Sequence, residues 1–248
     1  MNPVIASLKS TASIVILSGM LALSAPAWAE EDLWEEEAAW EEAGEPVEQT
    51  ISDPLEWMNR GIYSFNKFFD DYLLSPVARG YGWITPQPVK QGISNFYDNL
   101  TYPVVIVNGA LQGKFSQSGS DVSRLLINST AGLLGFFDVA THMDINEHHA
   151  DLGQTFGKWG LGSGPYLVIP FLGPSGVRDG VGLVGDFFLD PITYIDHNRT
   201  RYSFRAVEIV DKRYRFLEAS DILEETAIDP YAYVRSAYLQ SREQAIAE

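Results

Sequence analysis

Cysteine is absent from this chain of 248 residues. Disulfides, thiolate metal sites, a cysteine nucleophile and a lipid-modified cysteine are therefore excluded, and the fold must rest on packing and hydrogen bonding alone. Basic residues are also scarce, because 17 Lys and Arg stand against 33 Asp and Glu and give a formal net charge of −16. A chain this acidic repels phosphate backbones, so we expect no nucleic-acid partner.

Long apolar runs are the second absence. Beyond residue 29 no run reaches 18 apolar residues, so we expect no membrane-spanning helix. The apolar stretch at residues 11–23 is shorter than the roughly 20 residues that span a bilayer. Lys9 precedes it and Ala27-Trp28-Ala29 follows it, which is the pattern of a cleaved signal peptide. We predict that residues 1–29 are removed and that the mature protein is exported.

Composition divides the mature chain into three parts. Residues 30–50 hold ten Asp and Glu and no Lys or Arg, which is typical of an acidic disordered linker. Residues 51–242 carry the apolar periodicity of a folded, mainly α domain with few strands. Residues 243–248 are predicted to form a C-terminal tail.

The folded part begins with an aromatic-rich amphipathic pattern. Apolar residues recur at steps of three and four, which predicts a helix with one apolar face, and Pro76 is expected to restrict its continuation. This face either packs into an ordinary core or contacts acyl chains, and the pattern leaves both open. As a membrane-facing helix it would present Leu55, Met58, Ile62, Phe65, Phe69 and Tyr72.

Residues 153–185 are unusually rich in glycine and proline. They hold ten of the 21 Gly, together with Pro165, Pro170 and Pro174. The apolar residues 166–172 lie between these helix breakers, which indicates a short buried strand or an apolar hairpin rather than a helix.

Two clusters of polar residues require an interpretation. Glu147-His148-His149 with Asp151 suggests a metal, but no second histidine lies one helical turn away, so we predict a surface loop and neither metal nor cofactor. Six basic residues either contact lipid head groups or a partner, or form a helix face that nearby carboxylates neutralise. They are Arg199, Arg201, Arg205, Lys212, Arg213 and Arg215.

Several motifs together resemble the MlaA (VacJ) family, over about residues 51–242 and in family order. The resemblance begins with Asp53-Pro54-Leu55-Glu56-Trp57-Met58-Asn59-Arg60 and continues through Pro86-Gln87-Pro88-Val89 and Phe136-Phe137-Asp138-Val139-Ala140. Its most specific stretch runs from Gly153-Gln154-Thr155 through Gly164-Pro165-Tyr166-Leu167 and Gly173-Pro174-Ser175 to Arg178-Asp179. Asp229-Pro230-Tyr231 closes it.

This resemblance implies both a fold and a function, and the implied function is not enzymatic. The family forms a ring-like assembly of amphipathic helices, with an apolar Gly/Pro-rich hairpin section and a central channel, in the inner (periplasmic) leaflet of the outer membrane. Phospholipid leaves the outer leaflet through the channel and reaches a soluble periplasmic lipid-carrier protein, which maintains lipid asymmetry. Members associate with a trimeric outer-membrane porin. The implied channel lining is Phe136, Phe137, Asp138, Tyr166, Leu167, Val168, Pro170 and Leu172.

One departure from the family concerns membrane attachment. Members are commonly lipidated on an N-terminal cysteine, whereas this sequence has none, so we expect an unlipidated protein held by its helices or by a porin. Two other functions stay open. One is a soluble periplasmic hydrolase or metal-dependent enzyme that uses Asp151, His148 and His149. The other is a structural surface antigen.

Overall fold

The computed structural model describes residues 53–247. The predicted signal peptide and acidic linker lie outside the described residues. Nine α-helices occur within the described range: α1 (Glu56–Phe69), α2 (Ser75–Ile84), α3 (Gln87–Leu111), α4 (Phe115–Thr130), α5 (Leu152–Lys158), α6 (Val177–Phe187), α7 (Asn198–Arg215), α8 (Leu217–Thr226) and α9 (Pro230–Ala247). The prediction of a mainly α fold is confirmed, while the ring and its channel stay predictions. Residues 243–247, predicted as a tail, are the last turns of α9.

A two-stranded hairpin interrupts the helices. Strand β1 (Tyr166–Ile169) pairs antiparallel with β2 (Gly173–Gly176), and Tyr166 lies opposite Gly176. The predicted apolar hairpin is therefore present, and the residues that follow it form helix α6 despite their glycines. Glycine is needed there because a Cβ at Gly182 would lie 2.5 Å from the backbone nitrogen of Gly153 in α5. Close helix packing thus outweighs the low helix propensity of glycine.

Two prolines lie within long helical segments instead of ending them. A π-helical turn, Asp70–Leu74, joins α1 to α2, and the Ser75 N–H donates to the Asp70 carbonyl five residues earlier. This shift in hydrogen bonding lets the helix continue through Pro76, where an ordinary turn would need the missing N–H. The prediction that Pro76 restricts the continuation of the helix was wrong, because helix α2 runs through this residue. Pro103 similarly lies inside α3.

Polar and apolar side chains are distributed in the reverse of the usual order. The largest side chains with almost no solvent exposure are all polar: Arg124, Asn59, Asn108, Thr155, Asp121, Asp211 and Ser175. Buried apolar clusters are small, and the hairpin cluster consists of Tyr166, Val168 and Tyr231. Meanwhile Trp57 and Trp83 are 79% and 88% exposed. Soluble proteins rarely bury charges in preference to large apolar groups.

Charged residues of α6 point inward while its apolar residues point outward. Asp179 is buried and Asp186 is half-buried, whereas Val181 and Val184 are exposed. The α6 helix is therefore amphipathic in the inverted sense. Among the described residues, no helix combines the length and apolar character that crossing a membrane requires.

Candidate functional site

A cavity of about 510 Å³ lies between the hairpin and helices α1, α7, α8 and α9. We call it the hairpin cavity. Most of its wall is apolar or aromatic, with Phe69 from α1, Val168 and Leu172 from the hairpin, and Ile209 from α7. Its volume falls within the roughly 300–1,000 Å³ that is usual for small-molecule sites in proteins.

The hairpin cavity also carries charge, and ion pairs across its wall fix that charge in place. Lys67 Nζ lies 2.7 Å from Glu224 of α8, and the guanidinium of Arg213 makes two hydrogen bonds to Asp70, at 2.6 and 2.7 Å. Burial alone would lower the pKa of Lys67, but its bonds to Glu224 and Asp71 raise that pKa above the ordinary value. The cavity is therefore amphipathic, with charged groups on an apolar wall.

Two asparagines of α1 hold the hairpin in place. Asn59 donates to the Tyr166 carbonyl at 3.0 Å and accepts from the Val168 N–H at 2.9 Å. Asn66 repeats this pattern with Ile169 and Phe171, at 3.0 and 2.8 Å. Seven residues of helix rise about 10.5 Å, which matches roughly three residues of strand. Two side-chain amides thus satisfy the free edge of β1, and their spacing on one helix face is a signal that the sequence analysis missed.

The implied channel-lining residues separate into two groups. Tyr166, Val168 and Leu172 line the hairpin cavity, whereas Leu167 and Pro170 do not contribute to its wall. Phe136, Phe137 and Asp138 line a different cavity, described below, which shares no lining residue with the first. Sequence reasoning missed Ile209, Phe216 and Leu223, because no local pattern distinguishes these residues from others on helix surfaces.

The side chains of the helix predicted to face the membrane divide between packed and exposed positions. Ile62 packs against the Tyr166, Val168 and Tyr231 cluster. Phe65 and Phe69 pack edge-on against Phe171 at the hairpin tip, with ring centroids 5.2 and 5.1 Å away. Tyr72 is exposed, while Leu55 and Met58 are half-buried. The most exposed apolar side chains of this segment are Trp57, Phe68, Tyr72 and Leu73.

Most of the predicted basic patch is engaged within the protein. Arg205 pairs with Asp190 and Glu208, and Lys212 pairs with Glu208 as well. The guanidinium of Arg213 is occupied by Asp70. Arg215 pairs with Asp98 and Asp211, and Arg201 donates to Asn198 and to the Thr193 carbonyl. Arg199 is exposed at the start of α7. The geometry favours a neutralised helix face over a free head-group patch.

The residues of the alternative enzyme hypothesis have separate structural partners. His148 bonds the buried Asp121 at 2.9 Å, while Asp151 caps α5 and pairs with Arg242. His149 is exposed. Within residues 53–247, no group of three or more His, Asp or Glu side chains is arranged to hold a metal ion.

Comparison with known proteins shows which family shares this sequence and fold. The family described as MlaA lipoprotein matches residues 51–245, which is most of the chain. The chain belongs to the MlaA family. The Escherichia coli (strain K12) member, called intermembrane phospholipid transport system lipoprotein MlaA, is 36% identical over 198 residues and 78% of each chain. Its Haemophilus influenzae counterpart is 30% identical over 195 residues and 77% of each chain.

Further matches agree on the extent of the shared domain. An uncharacterised protein of Rickettsia bellii is 35% identical over 197 residues, which cover 79% of this chain and 77% of that protein. A solved structure, described as "Structural basis for maintenance of bacterial outer membrane lipid asymmetry", superposes with a TM-score of 0.70 at 32% identity. The match covers 79% of this chain and 99% of that one.

Proposed function

We propose that this protein moves phospholipid from the outer leaflet of the outer membrane toward the periplasm, without covalent chemistry, and so maintains lipid asymmetry. The observation that carries the proposal is the inverted distribution of side chains. Polar groups such as Arg124, Asn108 and Asp211 fill the interior, while tryptophans, phenylalanines and valines face outward. In hydrocarbon such an exterior is favourable, whereas in water it would promote aggregation.

The hairpin cavity is the proposed lipid path. A phospholipid needs an apolar surface for its acyl chains and fixed charges for its head group, and this wall offers both. Because the ion pairs of Lys67 and Arg213 are internal, the head group would meet a network already neutralised. Such a surface lets a lipid pass without binding so tightly that it stays, and the relatives named for phospholipid transport support this interpretation.

Attachment to the membrane is proposed to rest on the exposed apolar side chains or on a porin. The named relatives are lipoproteins, whereas this sequence has no cysteine for lipid attachment. The inverted α6 helix fits the periplasmic leaflet of the outer membrane, because it can lie along the interface without crossing it. A trimeric porin and a soluble periplasmic carrier are the partners we propose.

Obstructing the hairpin cavity tests the proposal. Ile209 lines the cavity and is half exposed, so Ile209→Trp should narrow the path and leave the fold intact. Val207→Trp, two residues earlier on α7 and outside the cavity wall, is the matched control. In cells that lack the native protein, the Ile209→Trp variant should leave more phospholipid reachable from the cell surface than the control does. Equal performance by the two variants would contradict the proposal.

A further inference from the structure

The loop after α4 contains two adjacent residues in a strained conformation. Leu133 and Leu134 have φ of +53° and +61°, and both are about two-thirds exposed. Left-handed backbone is unfavourable for residues with a Cβ, and it persists only where surrounding contacts enforce it. Such strain is found most often at ligand-binding or switching sites.

A polar frame holds this loop in place. Arg124 of α4 is 2% exposed and donates to Asp138 at 3.0 and 3.1 Å and to the Tyr102 hydroxyl at 2.6 Å. Asn128 donates to Asp138 at 2.9 Å and accepts from the Ala140 N–H at the same distance. The frame fixes the backbone after Phe137, and the Gly135 N–H donates to the Asn128 carbonyl at 2.7 Å before Phe136, so the two rings are presented in a set orientation.

A groove of about 510 Å³ separates the loop from one face of α3. We call it the α3 groove. Its helix wall comes from Pro88, Gln91, Gly92 and Asn95, and its loop wall comes from Phe136, Phe137, Asp138, Val139, Thr141 and His142. A Cβ at Gly92 would lie 2.2–2.4 Å from atoms of the Phe136 ring, so only glycine allows this ring to pack so deeply.

The lining chemistry favours an apolar chain whose attached polar group lies at the rim. The Asp138 carboxylate is consumed by Arg124, Asn128 and Thr141, which leaves the walls largely apolar. Polar groups stand at the rim, where His142 Nδ1 bonds the Asp138 carbonyl and so directs Nε2 away from it. Gln91 Nε2 is at the long limit of its bond to Asn95, at 3.4 Å. Ester and phosphate oxygens accept hydrogen bonds from such groups.

We propose that the α3 groove binds one acyl chain of a phospholipid, as a second lipid site distinct from the hairpin cavity. This inference rests on the proposed function, because lateral entry requires the surrounding surface to face hydrocarbon. The loop itself provides that continuity, since Leu133, Leu134, Phe137 and Met143 are exposed around it. A chain that slides between these residues would reach the apolar walls without leaving an apolar environment.

Photo-crosslinking of the full-length protein tests this site. Vesicles of phosphatidylethanolamine and phosphatidylglycerol would contain a trace phospholipid with a diazirine in one acyl chain, and adducts would be mapped by peptide mass spectrometry. Gln91→Trp fills the groove from its exposed rim, and Gln87→Trp, on the same helix but outside the groove, is the matched control. Val139→Phe narrows the groove independently from the loop side.

The expected result is an adduct on residues 132–143 that Gln91→Trp and Val139→Phe each reduce about tenfold, a loss equivalent to displacing one or two methylenes. Gln87→Trp should leave it unchanged. Adducts on this loop no more frequent than on the outer face of α6, or insensitive to both groove variants, would overturn the proposal. Adducts on the hairpin report on the hairpin cavity separately. If adducts form on the hairpin but not on the loop, only the proposal of a second site in the α3 groove is overturned. If no adduct forms anywhere, the proposed function is overturned as well.

Discussion

The guanidinium of Arg124 is almost completely buried, and its replacement by leucine removes the donors that hold the loop after α4. Taking one partner from a buried ion pair costs about 3–5 kcal/mol, because the remaining charge is left uncompensated. Here Asp138 is 27% exposed and regains part of its hydration, so we expect about 3 kcal/mol. For a domain of this size that loss lowers the melting temperature by roughly 6–12 °C.

Thermal unfolding in mild detergent, followed by circular dichroism, measures this loss. Arg79→Leu is the matched control, because Arg79 pairs with Asp221 while both side chains are about half exposed. Exposed pairs contribute about 0–1 kcal/mol, so the control should melt within a few degrees of the unmodified protein. A melting temperature for Arg124→Leu equal to that of the control would refute the claim that the polar interior stabilises this fold.

The same variant changes the dependence of stability on pH. Burial alone would raise the pKa of Asp138, but bonds from Thr141 and Asn128 and the charge of Arg124 lower it below its ordinary value. A carboxyl group with a lowered folded pKa contributes stability above its ordinary range and loses it as the pH falls through the folded value. Between about pH 7 and about pH 3, Arg124→Leu should therefore lose less stability than the unmodified protein.

Two further substitutions probe buried sites elsewhere. Burial raises the pKa of Asp186 even though the Leu152 N–H and Asn108 donate to it. The contribution of Asp186 to folding stability therefore falls as the pH rises through the pKa that this carboxyl has in the folded protein. Asp186→Asn keeps an acceptor for both donors and should raise the melting temperature more at about pH 7 than at about pH 4. An equal change in melting temperature at the two pH values would show that ionisation of Asp186 does not affect stability. In α2, a Cβ at Gly82 would lie 2.3 Å from the Tyr214 ring, whereas one at Gly80 would meet nothing within 4 Å. Gly82→Ala should destabilise by about 1–3 kcal/mol, and Gly80→Ala should stabilise by about 0.5–1 kcal/mol; denaturant titration of the pair would contradict this reasoning if both changes had the same sign.

Periodicity located the first helix and breaker residues located the hairpin, but the effect of Pro76 was misjudged. The hairpin around Tyr166 was recognisable because glycine and proline flank an apolar run. The α6 helix was not, because its glycines reduce helix propensity and only its contact with α5 explains them. Pro76 was misjudged for a related reason, since a π-helical turn accommodates it and the first residue of that turn, Asp70, accepts from Arg213, which lies 143 residues away.

Candidate site residues were harder to assign than elements. The apolar side chains that recur over residues 55–72 form one stripe in the sequence, yet Ile62 packs inward while Phe65 and Tyr72 are exposed. Helical periodicity states which residues share a face but not what that face contacts. The basic residues of α7 were ambiguous in the same way, because their partners Asp70, Asp98 and Asp190 come from distant segments.

By itself the sequence determined the helical class, the apolar hairpin and the family, because these follow from local spacing and from motifs in a fixed order. The tertiary structure alone decided which side chains face inward. Burial of Arg124, Asn59 and Asp211 depends on partners in other elements of the fold. Asn59 and Arg124 are stable inside because their donors find acceptors there, and Asp211 is stable because donors such as Ser94 reach its carboxylate. That long-range pairing turns the apolar residues outward and opens two separate cavities where the sequence suggested one.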